Sequence, residues 1–248
     1  MCHSDDSRPP APPHVGPVAQ ARQVELVAAD GNHLAAYEAL PAQGHGVGVV
    51  VLPDVRGLHP YYVALAERFA QAGLPAVAID YFGRTDGVAM RGEGFDYAAR
   101  LPQVTAPGVA ADAAAAAARL RAEHGCVDVF TVGFCFGGGQ SWRLAASPIG
   151  LAGSIGFYGR PAMIDDVVDQ LTAPLLMLIA GADAATPVEE SLAAAERVAA
   201  AGVECETHVY DGAPHSFFDR AFGQWEEACA DAWTRMLAFM DRHCAGPA

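Results

Sequence analysis

A cysteine with glycine at both second-neighbour positions, Gly133-Phe134-Cys135-Phe136-Gly137-Gly138, directly follows the apolar run at residues 127–132. In a G-x-C-x-G turn between a strand and a helix, the central side chain projects from the sheet edge. Glycines flank it because the reversal leaves no room for larger neighbours. The sulfur then stands at a helix N-terminus, whose dipole favours an anion, and the amide of Phe136 faces the place where a tetrahedral oxyanion would form. A thiol nucleophile needs a base, and His215 lies in Asp211-Gly212-Ala213-Pro214-His215-Ser216, just after another apolar run. Asp183, in Ala180-Gly181-Ala182-Asp183, follows the apolar run before that one and offers a carboxylate that could orient an imidazole. These three residue types together suit acyl transfer through a covalent thioester. Each also has a plainer reading: Cys135 as a buried structural thiol, His215 as one of nine histidines, and Asp183 as a turn residue ahead of Pro187. Phosphate binding by the glycines is the weakest option, since no Gly-Lys-Ser/Thr follows and the chain has no lysine.

Such residues are useful only if the fold gathers them. Residues 23–28 and 34–40 read as two strands joined by the Asp30-Gly31-Asn32 turn. Runs at 47–52, 76–79, 127–132, 155–158, 175–179 and 204–210 read as further strands, several of them apolar enough to be buried on both faces. Helical stretches at 61–72, 108–124, 137–146, 188–201 and 225–243 alternate with them, and 80–103 reads as a long functional loop with a short helix. Strands alternating with crossover helices predict an α/β fold, a mostly parallel sheet covered on both faces with an antiparallel start. Ligands in such sheets bind beyond the carboxyl ends of the strands, which directs attention to the loops after Leu52, Ile79, Val132, Ile179 and Tyr210. The order Cys135, Asp183, His215 then places nucleophile, acid and base at successive strand ends.

Composition narrows the field. The chain has 248 residues, 52% of them hydrophobic, and carries 15 basic against 29 acidic side chains for a formal charge of −14. That suits one large domain with its own core, expected over residues 21–244, behind a flexible proline-rich tail at 1–20. An acidic chain lacks the basic footprint for nucleic acid or an anionic membrane. No apolar run approaches the roughly 20 residues that span a bilayer, and the first residues do not read as a secretory signal. Six cysteines spread widely with no CxxC pair fit reduced thiols, hence a cytoplasmic location, with no metal and no cofactor expected.

The elbow at 133–138, the Gly181-Ala182-Asp183 turn and the Pro214-His215-Ser216-Phe217-Phe218 segment resemble dienelactone hydrolases (carboxymethylenebutenolidases), over about residues 24–243. Cysteine in the elbow is the most specific element, since related esterases and lipases use serine there. The resemblance implies an α/β-hydrolase fold and hydrolysis of an enol lactone or related ester that bears a carboxylate; separately, a monomer is expected, with a small-molecule ester or lactone as its partner. It further implies that Asp54, where a glutamate is usual, activates the thiol, and that the amide of Val55 is the second oxyanion donor beside Phe136. Arg84 and Arg220 would clamp the substrate carboxylate, Arg220 lying five residues after His215 where four is the family spacing. Aromatic residues near these loops (Tyr81, Phe82, Trp142, Tyr158, Phe217, Phe218) are candidates for an apolar pocket wall. Two rival readings are a broader carboxylesterase and a non-catalytic scaffold that binds a small molecule or senses oxidants through Cys135.

Overall fold

The computed structural model describes residues 7–44 and 46–245. Eight strands form one sheet: β1 (Val18–Val27), β2 (His33–Pro41), β3 (Val47–Leu52), β4 (Ala76–Ile79), β5 (Asp128–Phe134), β6 (Gly153–Phe157), β7 (Leu175–Ala180) and β8 (Cys205–Tyr210). Their spatial order is β1-β2-β4-β3-β5-β6-β7-β8, with β1 and β2 antiparallel to their neighbours and the rest parallel. The helices are α1 (Pro60–Gln71), α2 (Gly83–Asp86), α3 (Tyr97–Arg100), α4 (Ala106–His124), α5 (Phe136–Leu144), α6 (Val188–Ala200) and α7 (Glu226–His243). The expected α/β architecture with an antiparallel start is what the chain adopts.

Burial explains the pattern. Strands β3, β4, β6 and β7 are buried along their whole length, as parallel strands covered on both faces must be. α4 is a run of alanines started by Thr105, whose side chain accepts from the Gly108 amide, and stopped by Gly125 at φ 64°. It docks on the β1–β2 side through Glu38, a fully buried carboxylate on β2 that accepts from Arg119 at 2.5 Å and Arg22 at 3.2 Å and pairs with His124 at 2.6 Å. Burial alone would raise the Glu38 pKa. The cationic partners outweigh it and pull the group down to about 2.

Two features matter for the site. The chain passes from β3 outward to β4 and returns to β5 on the other side of β3, so a crevice opens between the carboxyl ends of β3 and β5. Pairing of Leu52 with Gly133 sets the two following loops, Pro53 onward and Cys135 onward, side by side there.

The amino-terminal segment departs from expectation. Residues 1–6 of the expected tail lie outside the described residues, but Pro9, Pro10 and Pro12 are buried and β1 begins already at Val18. Trp233 Nε1 donates to the Pro10 carbonyl at 3.1 Å, Arg68 Nε to the Pro9 carbonyl at 3.3 Å, and the Gly16 amide to the Gln71 carbonyl at 2.7 Å. Proline has no backbone N–H to satisfy, so a proline-rich strand can lie across α1 and α7 using only its carbonyls. Among the described residues no helix is long and apolar enough to cross a membrane.

Candidate active site

Cys135 occupies the reversal between β5 and α5 with φ 54° and ψ −113°, a strained conformation for a non-glycine residue. Its glycine neighbours are sterically required. A Cβ on Gly133 would lie 1.9 Å from the Gly137 carbonyl oxygen, and one on Gly137 would lie 2.2 Å from that of Leu52. The loop is thus pressed against β3 and locked by the Cys135 amide, which donates to the Phe157 carbonyl at 3.0 Å.

His215 follows β8, and its Nδ1 lies 2.6 Å from Asp183 Oδ2 on the loop after β7. Burial would push the Asp183 carboxyl up. The His215 contact and the amides of Ala185 and Thr186 more than offset it and hold the carboxyl below its ordinary value. The carboxylate engages Nδ1 and orients the ring. The ring also packs on Tyr158, centroid to centroid at 4.9 Å, and Tyr158 is itself held at φ 37°.

Cys135 and His215 line the same cleft, of about 360 Å³, together with Val55, Leu101, Phe136, Tyr158, Arg160, Met163, Ala185 and Thr186. That volume is at the small end for organic ligands. Neither the Val55 nor the Phe136 amide donates to a protein acceptor among the described residues, and both residues line the cleft. Burial pushes the Cys126 thiol up to about 11 and those of Cys205 and Cys229 to about 12, so these three stay protonated at neutral pH.

The remaining expected site residues fall elsewhere. Arg84 does not line the cleft; its Nη1 donates to Asp112 Oδ2 and its Nη2 to Asp30 Oδ2, each at 2.6 Å. The cause is Asp112, a buried carboxylate in the middle of α4 that needs a counter-charge and that Asn32 also supports at 3.0 Å. Arg220 is exposed and likewise outside the lining, its amide donating to Asp219 Oδ1. Asp54 is fully buried beneath the Val55 turn, where it accepts from the Arg56 amide at 2.8 Å and lies 3.5 Å from Arg56 Nε. Of the six aromatic candidates only Tyr158 reaches the cleft. Phe217, Phe218 and Trp142 are fully buried core, and Tyr81 turns its hydroxyl to the Pro53 carbonyl at 2.8 Å.

Sequence reasoning missed Arg160, Met163, Leu101 and Thr186. The first two follow β6, and the strand-end rule that pointed to five other loops applies to that loop as well. One group of side chains among the described residues has metal-ligand spacing, Glu204, Glu206 and His243. It sits at the amino end of β8, opposite the cleft, where Arg242 already pairs with Glu206.

The dienelactone hydrolase family model matches residues 34–244. A curated relative from Methylorubrum extorquens, “Putative carboxymethylenebutenolidase”, is 28% identical over 231 residues, covering 87% of this chain and 79% of its own. The crystal structure of a “Putative Dienelactone Hydrolase” from Klebsiella pneumoniae superposes with TM-score 0.75 at 25% identity, over 90% of this chain and 99% of the other. That of a dienelactone hydrolase-like promiscuous phosphotriesterase from metagenomic libraries does so with TM-score 0.74 at 24% identity, over 90% and 98%.

Proposed function

The chain belongs to the dienelactone hydrolase family, and from that premise we propose that it hydrolyses activated esters or lactones through an acyl-thioester on Cys135. The observation that carries the reading is the shared cleft of Cys135 and His215, with the imidazole tethered to Asp183 at 2.6 Å.

In the first half-reaction His215 takes the thiol proton and the sulfur adds to the carbonyl carbon. The oxygen, now an anion, is met by the amides of Val55 and Phe136. Collapse breaks the carbon–oxygen bond, and His215 returns the proton to the departing oxygen. In the second half-reaction a water adds to the thioester carbon while His215 accepts its proton. The carbon–sulfur bond then breaks, the acid leaves, and the thiol is restored. Asp183 keeps the ring oriented and stabilises the imidazolium that forms twice per turnover. A thiolate is itself a good leaving group, so the route favours substrates whose leaving oxygen is stabilised, such as enol lactones and aryl esters, over alkyl esters or amides. Asp54, one methylene shorter than the family's usual glutamate and paired with Arg56, contributes to this scheme by shaping the Val55 turn.

Cys135→Ala should reduce aryl-ester turnover by about 10³-fold or more, and intact-protein mass spectrometry of the wild type should capture the acyl adduct on Cys135. Undiminished turnover in the variant would overturn the reading. Asp183→Asn should lower kcat by about 10²–10⁴-fold with little change in KM.

A further inference from the structure

Thirteen of the fifteen arginines are already engaged, by carboxylates, side-chain amides or backbone carbonyls. Only Arg160 and Arg220 have no side-chain hydrogen bond or ion pair among the described residues. Of these two, Arg160 alone lines the cleft, and apart from His215 it is the one ionisable cation there.

Its lack of a partner is built in. Two carboxylates, Asp165 and Asp166, follow within six residues, yet Arg197 Nη2 takes Asp165 at 2.6 Å and Arg143 Nη2 takes Asp166 at 2.8 Å. Arg143 also donates to the Met163 carbonyl at 2.8 Å, fixing the turn that carries Arg160. Gly139 lets that turn sit against α5, since a Cβ there would meet Met163 Sδ at 2.3 Å and the Arg160 carbonyl oxygen at 3.2 Å. The backbone of Arg160 is therefore anchored while the residue stays exposed in the lining that Tyr158 and Met163 share. In a chain with a charge of −14, an arginine without a carboxylate partner in the lining of a mostly apolar cleft is a local positive charge.

Resting on the hydrolase reading above, we infer that Arg160 is the specificity-determining residue of the cleft, receiving an oxyanion of the substrate through its planar, bidentate donor fork. It takes the place that sequence resemblance assigned to Arg84 and Arg220. Selection for an anion then comes from the loop after β6, two residues beyond the tyrosine that packs on His215, so binding and proton transfer share one wall.

The test compares wild type, Arg160→Gln, Arg160→Lys and Arg220→Gln on two matched ester pairs: mono-4-nitrophenyl glutarate with 4-nitrophenyl valerate, and 4-acetoxybenzoate with phenyl acetate. Arg160→Gln should raise KM about tenfold for the anionic member of at least one pair, with kcat and the neutral ester within about twofold. Arg160→Lys should recover part of the loss, and Arg220→Gln should behave as wild type. Glutarate binding by calorimetry gives a reading without turnover and should weaken about tenfold in Arg160→Gln alone. Unchanged discrimination and unchanged glutarate binding in Arg160→Gln, or a loss that follows Arg220 instead, would overturn the inference. Failure of wild type to cleave any of the four esters would count against the hydrolase reading, while glutarate binding still decides the part played by Arg160.

Discussion

Two stretches at the same rim of the sheet use arginine in opposite ways. Between β4 and α4, Arg84 closes on Asp112 and Asp30, Arg91 on the buried Asp80 at 2.8 Å, and Arg100 on Asp86 at 2.9 Å. Asp80 also accepts from the amides of Leu58 and Phe82, so these charges staple a long excursion to the body of the protein. After β6 the opposite holds: the neighbouring carboxylates are claimed by other arginines and Arg160 stays unpaired among the described residues in the lining of the cleft. A loop arginine near an active site is thus not a ligand-binding group by type. What decides is whether the fold has already buried a counter-charge against it, because an unpaired buried carboxylate costs far more than an exposed guanidinium left in water.

The contrast can be broken most forcefully at Arg84. Arg84→Met should destabilise by about 3–5 kcal/mol, since it abandons the buried Asp112, and thermal melting should show it. Burial already pushes the Asp112 carboxyl up, and loss of Arg84 raises it further. The deficit should therefore be smallest in mild acid, where the carboxyl is neutral, and largest at neutral pH. The KM for an anionic ester should not move; a KM effect without a stability effect would mean that Arg84 serves the substrate and not Asp112.

Glu38→Gln sharpens the same point on the β1–β2 side, with an expected loss of about 2–3 kcal/mol at pH 7. Because the folded-state pKa of Glu38 is depressed to about 2, its contribution is full above the ordinary carboxylate range and fades as pH falls from there toward 2. Wild type and variant should converge in acid melting curves. The smallest stability effect belongs to Arg160→Gln, within about 0.5 kcal/mol of wild type. A larger drop would mean that its guanidinium holds the fold together after all.

Much of this was legible in the chain because it depends on local chemistry. The glycines around Cys135 announce a reversal that only glycine permits, and the order of Cys135, Asp183 and His215 follows from where strands end. The arginines were not legible, because pairing joins distant positions: Arg84 meets a carboxylate 28 residues away in α4 and another 54 residues away at the first hairpin. Nothing near Arg84 in sequence announces either partner. Conversely, Arg160 sits a few residues from two aspartates and looks neutralised until Arg143 and Arg197 are seen to hold them. Tail packing was hidden for a related reason, since proline-rich composition describes stiffness and not what the segment lies against.

The Phe69 and Trp233 rings meet at 4.9 Å where α1 and α7 come together, and Pro10 supplies the acceptor for the indole N–H above them. Trimming the gene back to the first strand would remove that acceptor and the prolines beside it, uncovering a greasy seam between two helices. Expression designs that keep residues 7–17 should stay dispersed at concentrations where trimmed ones self-associate, making this short stretch part of the protein's solubility.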